Sequence, residues 1–321
     1  MNPFVRDALI AGVLPGTIAV VALTVCGALL ALRRGPLEPE GVGEPLAPRS
    51  VLERVVLLAS GLALAAAVVL SMRTLEPYDG WWPINVANRI PAVLGLAGVF
   101  AALIAAGPSR WWFVLVVSVL GAGLLNWGLL GPLPAFESSG MLWGWVAANA
   151  AITGLAVLLA ECGLRHATQR HGRLMPLLVL PIALVAVPGV LFFSSLNVPP
   201  RQYAAFIAIA TSALLVCVVL KRSAGRMIIR GLGAFVVLAT AALFVHARTL
   251  GAASPWPVAL AALAAIGLFA SCLLATRIKR WWLLGIVTFA LTALPLHAAV
   301  GLQRLITLPE DDGGTAADYG Y

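Results

Sequence analysis

Glu161 is the one carboxylate set inside an apolar run of this chain, and Arg165 follows four residues later on the same helical face. Two chemistries suit a carboxylate there: an ion pair at a membrane surface, or a proton-binding group coupled to transport. Asn126 and Asn149 are the most polar groups at real depth in their segments. An amide at such depth bonds to a neighbouring helix, at about 1 kcal/mol, or contacts a polar solute. Pro15-Gly16 and Pro188-Gly189 interrupt two further apolar segments. Unwound backbone at such a step can coordinate a substrate or ion, although proline also produces plain kinks in membrane helices. Pro15, Gly16, Asn126, Asn149, Pro188 and Gly189 are therefore the candidate substrate-binding residues.

Other groups point less specifically. His246 and His297 fall near the ends of two apolar segments, where a pair of imidazoles could hold a metal or haem. No carboxylate stands beside them to orient a ligating ring, so no metal and no cofactor are expected. Between Arg73 and Arg89 lie Glu76, Tyr78, Asp79, Trp81, Trp82 and Asn85, the acid and aromatic inventory of a sugar-binding lip or an external transferase site, and equally of an ordinary interface loop. The four cysteines, Cys26, Cys162, Cys217 and Cys272, have no CxxC spacing and read as small buried residues without a disulfide or zinc. No P-loop, HExxH, GxSxG or Asp-rich prenyl-diphosphate motif occurs, so the chain reads as a non-enzyme.

The elements that carry these residues are set by hydropathy. Hydrophobic residues make up 61% of the 321 and charged residues 11%, and mean hydropathy is +0.98, too little polar surface to coat a water-soluble globule. Ten apolar stretches run over residues 9–32, 55–72, 90–107, 111–131, 141–164, 174–195, 203–220, 227–247, 256–276 and 281–303. A helix needs about 20 apolar residues to span a bilayer, because its backbone groups must be satisfied internally. The expected fold is thus all-α: a polytopic integral membrane protein of ten transmembrane helices. The first stretch lacks a small-residue cleavage site and is expected to be retained.

The charges orient it. Alternate joints hold fifteen basic residues, among them Arg33, Arg34, Arg110, Arg165, Arg230 and Arg280, against six in the other set and the termini: Arg6, Arg73, Arg89, Arg201, Arg248 and Arg304. Positive joints stay inside, which places both termini outside. The net charge of +8 then needs no nucleic acid to explain it, and the expected partners are the lipid bilayer and another membrane protein or a second copy. Arg far outnumbers Lys, and Ala, Leu and Val dominate, usage that points to a bacterial cytoplasmic membrane.

Residues 1–308 read as one transmembrane domain, with a Pro- and Glu-rich flexible linker at 35–49 and an acidic disordered tail at 309–321. Two internal symmetries compete. Arg73-Thr74-Leu75, Trp81-Trp82-Pro83 and Arg110-Trp111-Trp112 recur in order as Arg248-Thr249-Leu250, Trp256-Pro257 and Arg280-Trp281-Trp282, which would make helices 1–4 and 7–10 a parallel repeat. The two Pro-Gly steps instead suggest inverted five-helix halves. Positive-inside bias with an aromatic belt also generates Arg-Trp-Trp without duplication. The expected activity is a carrier or flippase-like transporter of a small solute or lipid. The alternatives are a non-catalytic membrane subunit and an external-face transferase using Glu76 or Asp79.

Overall fold

The computed structural model describes residues 6, 9–34, 48, 50–75, 89–130, 139–171, 212, 216, 230–250, 256, 260, 263, 266, 267, 270, 271, 273, 274, 277, 278 and 280–307. Among the described residues there is no strand, and seven helices form: α1 Leu14–Arg34, α2 Val51–Leu75, α3 Ile90–Ala106, α4 Trp111–Leu130, α5 Ser139–His171, α6 Leu232–Leu250 and α7 Trp281–Thr307. A π-helical turn, Leu9–Val13, runs directly into α1. Five helices (α1, α2, α4, α5 and α7) are long and apolar enough to cross a membrane, and α3 and α6 contain shorter apolar stretches. Seven of the ten apolar stretches thus coincide with helices. The stretch at 174–195 lies outside the described residues, 203–220 is represented only by Ser212 and Val216, and 256–276 only by scattered helical positions. The tail at 309–321 is also outside them, and Pro48, the one described residue of the 35–49 segment, is buried.

Helix ends follow local chemistry. α2 starts four residues before its apolar stretch because Ser50 and Glu53 have capping-box spacing: the Glu53 N–H donates to Ser50 Oγ at 3.2 Å. α3 opens with Pro91 in its first turn, where a missing N–H costs nothing, and closes at Gly107, whose N–H donates to Leu103 O at 2.9 Å. α5 outruns its stretch. Its 33 residues make a rod of about 50 Å, so the last turns, through Arg165 and His171, continue past any hydrocarbon layer of about 30 Å.

Close packing is made by small residues, as expected where lipid tails already satisfy apolar side chains and helices gain by backbone approach. Gly61 of α2 sits on Ala102 of α3, where an added Cβ would come within 2.6 Å of the Ala102 Cα. A Cβ at Gly98 of α3 would come within 2.9 Å of the Ala65 Cα, and one at Gly95 within 2.7 Å of Val69 Cγ2. These pairs step in opposite directions, so α2 and α3 are antiparallel. Gly121 of α4 lies against the Phe100 ring of α3, and Gly123 and Gly154 bring α4 and α5 together at Ala150 and Val119, again antiparallel.

α6 is the central rod. It packs on α3, α4 and α5, and from Gly231 to His246 its residues are nearly all buried, Phe235 and Leu243 completely. A helix apolar all round belongs in an interior. Gly231 makes the turn into α6 with φ +80°, and a Cβ there would lie 3.0 Å from Ala105 Cβ and closer still to the Ala101 carbonyl oxygen. Both the left-handed backbone and the space require glycine.

Arg73-Thr74-Leu75 closes α2 and Arg248-Thr249-Leu250 closes α6. Trp111-Trp112 and Trp281-Trp282 open α4 and α7, each behind an arginine whose carbonyl takes the first helical bond, from Val114 N to Arg110 O at 3.3 Å and from Leu284 N to Arg280 O at 3.1 Å.

Candidate functional site

Two of the four buried acidic or basic residues described, Glu161 and Arg230, lie where α3 and α5 end and α6 begins; the others are Glu53 at the start of α2 and His246 toward the far end of α6. Glu161 is 1% exposed, and its Oε1 accepts the N–H of Ala234 at 3.0 Å. Ala234 lies in the first turn of α6, where backbone N–H groups have no helical acceptor and the helix dipole presents positive charge. A carboxylate in that position satisfies a buried donor and is itself stabilised. The sequence suggests Arg165 as the partner; the bond seen goes to another helix 73 residues away, and the Arg165 side chain is outside the described residues.

Arg230 is the complement. Only 3% exposed, it donates from Nη2 to Gly107 O at 2.9 Å, at the carbonyl end of α3 where the dipole is negative. Counted by sequence as one more rim charge, it is a buried cap. A cavity of about 20 Å³ adjoins it, lined by Leu23, Ser60, Gly61, Ala101 and Gly231 among others, with room for one water. The Ser60 hydroxyl is already committed to Leu57 O at 2.7 Å.

At the opposite end of the bundle Arg89, just before α3, donates from Nη1 to Gly128 O near the end of α4 at 3.0 Å. The two arginines do the same task at the two ends: each precedes one helix and closes the carbonyl end of a neighbour.

The candidate substrate residues separate. Pro15 and Gly16 are both buried, and the π turn Leu9–Val13 stands immediately before them. A proline ring clashes with the carbonyl four residues back, and widening the preceding turn relieves that clash, so the chain bulges there without unwinding. Asn126 is 3% exposed and its Nδ2 donates to Ala122 O of its own helix at 2.7 Å, whereas a bond to a neighbouring helix was expected; its Oδ1 is buried with no hydrogen-bond partner among the described residues. Asn149 is half-buried on α5 beside Ala150, which faces Gly123 of α4. Pro188 and Gly189 lie outside the described residues, as do Glu76 and Asp79.

Sequence reading passed over Pro295 within α7. It leaves the Leu291 carbonyl without its usual donor, and Gly267 packs onto that carbonyl so closely that a Cβ would overlap it. A proline inside an apolar stretch was the available signal. His246 is 1% exposed inside the α6 packing, while His297 is exposed and its Nδ1 lies 2.7 Å from Ala293 O of its own helix. Among the described residues no group of three or more His, Cys, Asp or Glu is placed to hold a metal. Cys26 and Cys162 are not in disulfides.

Tryptophans mark the outer surface. Trp111 and Trp112 at one end of α4, and Trp127 with Trp143 and Trp145 of α5 at the other, are all exposed. Trp112 and Trp127 are separated by about 22 Å of helix rise, the disposition of aromatic belts at two membrane interfaces. Together these features define an all-helical bundle of membrane-spanning type. No family model, no curated protein and no solved structure matches the chain.

Proposed function

We propose that the chain is a ten-span protein of a bacterial cytoplasmic membrane, with both termini outside, and that it acts as a carrier of a small solute or lipid. The alternation of basic joints supports the orientation, and the helix ends that carry Arg34, Arg54, Arg110 and Arg230 form one side of the bundle. The matching Arg-Thr-Leu ends and Arg-Trp-Trp starts favour helices 1–4 and 7–10 as parallel copies. One observation carries the transport reading: the buried Pro15-Gly16 pair behind a π turn in the first helix, an irregularity of the kind found where helices must yield to a ligand.

Two measurements test this. In a variant lacking the four native cysteines, a cysteine at Ser109 should resist a membrane-impermeant maleimide on intact cells, and one at Gly140 should react; the reverse pattern refutes the orientation. Purified protein in proteoliposomes should move a member of a solute and lipid panel, and Pro15→Ala with Gly16→Ala should slow it. A panel wholly unmoved refutes the carrier.

A second reading, a non-catalytic subunit, is favoured by the structural use of Glu161, Arg230 and Arg89 as helix caps and by the broad exposed apolar faces of α4 and α5. Stoichiometric copurification with another membrane protein, without solute movement, would select it.

A further inference from the structure

We infer that the seam between α4 and α5 at Asn126 and Asn149 is where an uncharged hydrogen-bond-donating group of the carried molecule, a hydroxyl or amide N–H, docks. This rests on the carrier reading and names its substrate class: small neutral polar solutes.

The Ala122 carbonyl accepts from Asn126 at 2.7 Å, and only the nitrogen end of the amide can donate, so the oxygen end is turned the other way. That oxygen is buried, and no described group donates to it. An unmet acceptor inside a bundle is a standing cost that a donor from a bound molecule would remove.

Val119, Gly123 and Asn126 share one stripe of α4, at i, i+4 and i+7, and that stripe lies on α5 at Gly154 and Ala150. Glycine on both helices lets α4 and α5 pack closely there, so a docking group parts two helices that touch through small residues. Asn149, next to Ala150, and Thr153, one turn further on, add polar atoms from the α5 side, both at least half-buried. Asn126 stands four residues from the end of α4, about 6 Å of rise, toward the side opposite the basic joints. From Trp111 to Ala160 the sequence contains a single ionisable side chain, Glu137, outside the described residues. The nearest described charge is Arg89, whose Nη1 is committed to Gly128 O on α4 at 3.0 Å. A hydroxyl or amide needs only the acceptor that is present.

The test uses glycerol, myo-inositol and urea as probes. Full-length protein in phosphatidylethanolamine–phosphatidylglycerol vesicles is expected to carry at least one of them by osmotic light scattering. Asn126→Leu should lower that flux about tenfold, as loss of one productive hydrogen bond would. The same variant, in detergent without solute, should melt no lower than wild type, because an unmet acceptor has been replaced by an apolar group of similar volume. Asn149→Ala should lower flux by a smaller factor with unchanged melting. A melting point several degrees lower for Asn126→Leu would mean that the oxygen is bonded within the protein, and unchanged flux would mean that no solute uses it; either overturns the inference. Wild-type protein that carries a charged solute or a fluorescent phospholipid but none of the three probes overturns the substrate class and leaves the carrier standing. Protein that carries nothing overturns both.

Discussion

The two ends of the α3–α6 bundle handle buried polar groups differently. At the end holding Gly107 and Gly231, a carboxylate closes the start of α6 and a guanidinium closes the finish of α3, each bonding across helices to backbone. At the other end Arg89 closes α4 in the same manner, but a few residues below it Asn126 turns back on its own helix and leaves its oxygen unmet among the described residues. Charges buried in a low-dielectric interior persist only with good partners, and at the first end each has backbone of the favourable dipole sign. The lesson is that scarcity of buried charge does not imply a purely apolar core. Here Glu161 and Arg230 are structural ties between helices, and Asn126 is a neutral amide whose oxygen has no partner among the described residues.

That contrast can be broken at several points. The largest loss is expected for Gly231→Val, which would put a β-branched residue at φ +80° and drive its Cβ into the Ala101 carbonyl. A cost of about 3 kcal/mol or more should remove the monodisperse peak in size-exclusion chromatography. Arg230→Leu strips the Gly107 carbonyl of its buried donor and should cost about 3 kcal/mol, read as a lower midpoint in thermal or denaturant unfolding. Arg89→Ala, the same deletion at the half-buried opposite end, should cost about 1 kcal/mol; an equal loss at both ends would erase the distinction drawn between them. Ser50→Ala removes the capping oxygen of α2 and should cost about 1 kcal/mol, with Ser50→Asp restoring it.

How much of this was legible follows from which forces are local. The apolar stretches at 9–32, 90–107 and 111–131 coincide closely with helices because span length is set by the backbone's need to bond internally. At Gly95, Gly98, Gly121 and Gly123 the same local logic holds in the structure: side-chain volume decides how near two helices can come. The start of α2 was also available in the Ser50 and Glu53 spacing and was passed over in favour of hydropathy alone. What no local pattern contains is the pairing of distant groups. Glu161 has a plausible partner four residues away, and nothing near it in sequence says that its carboxylate faces the start of a helix 73 residues later. Arg230 looks in sequence like Lys221, Arg222 and Arg226, and only the fold shows it to be a buried cap. Depth in its segment marked Asn126 as a buried residue, but that its amide would donate to Ala122 O and not across helices depends on which neighbour offers an acceptor. Pro15-Gly16 marked a real irregularity, taken up as a π turn instead of a break.

The account turns on one comparison, the thermal unfolding of Glu161→Leu beside Asn126→Leu in the same detergent. A capping carboxylate at the start of α6 predicts a loss of about 3 kcal/mol for Glu161→Leu, and an unmet amide oxygen predicts no loss or a gain for Asn126→Leu. Equal losses for the two, or an unchanged midpoint for Glu161→Leu, would contradict it.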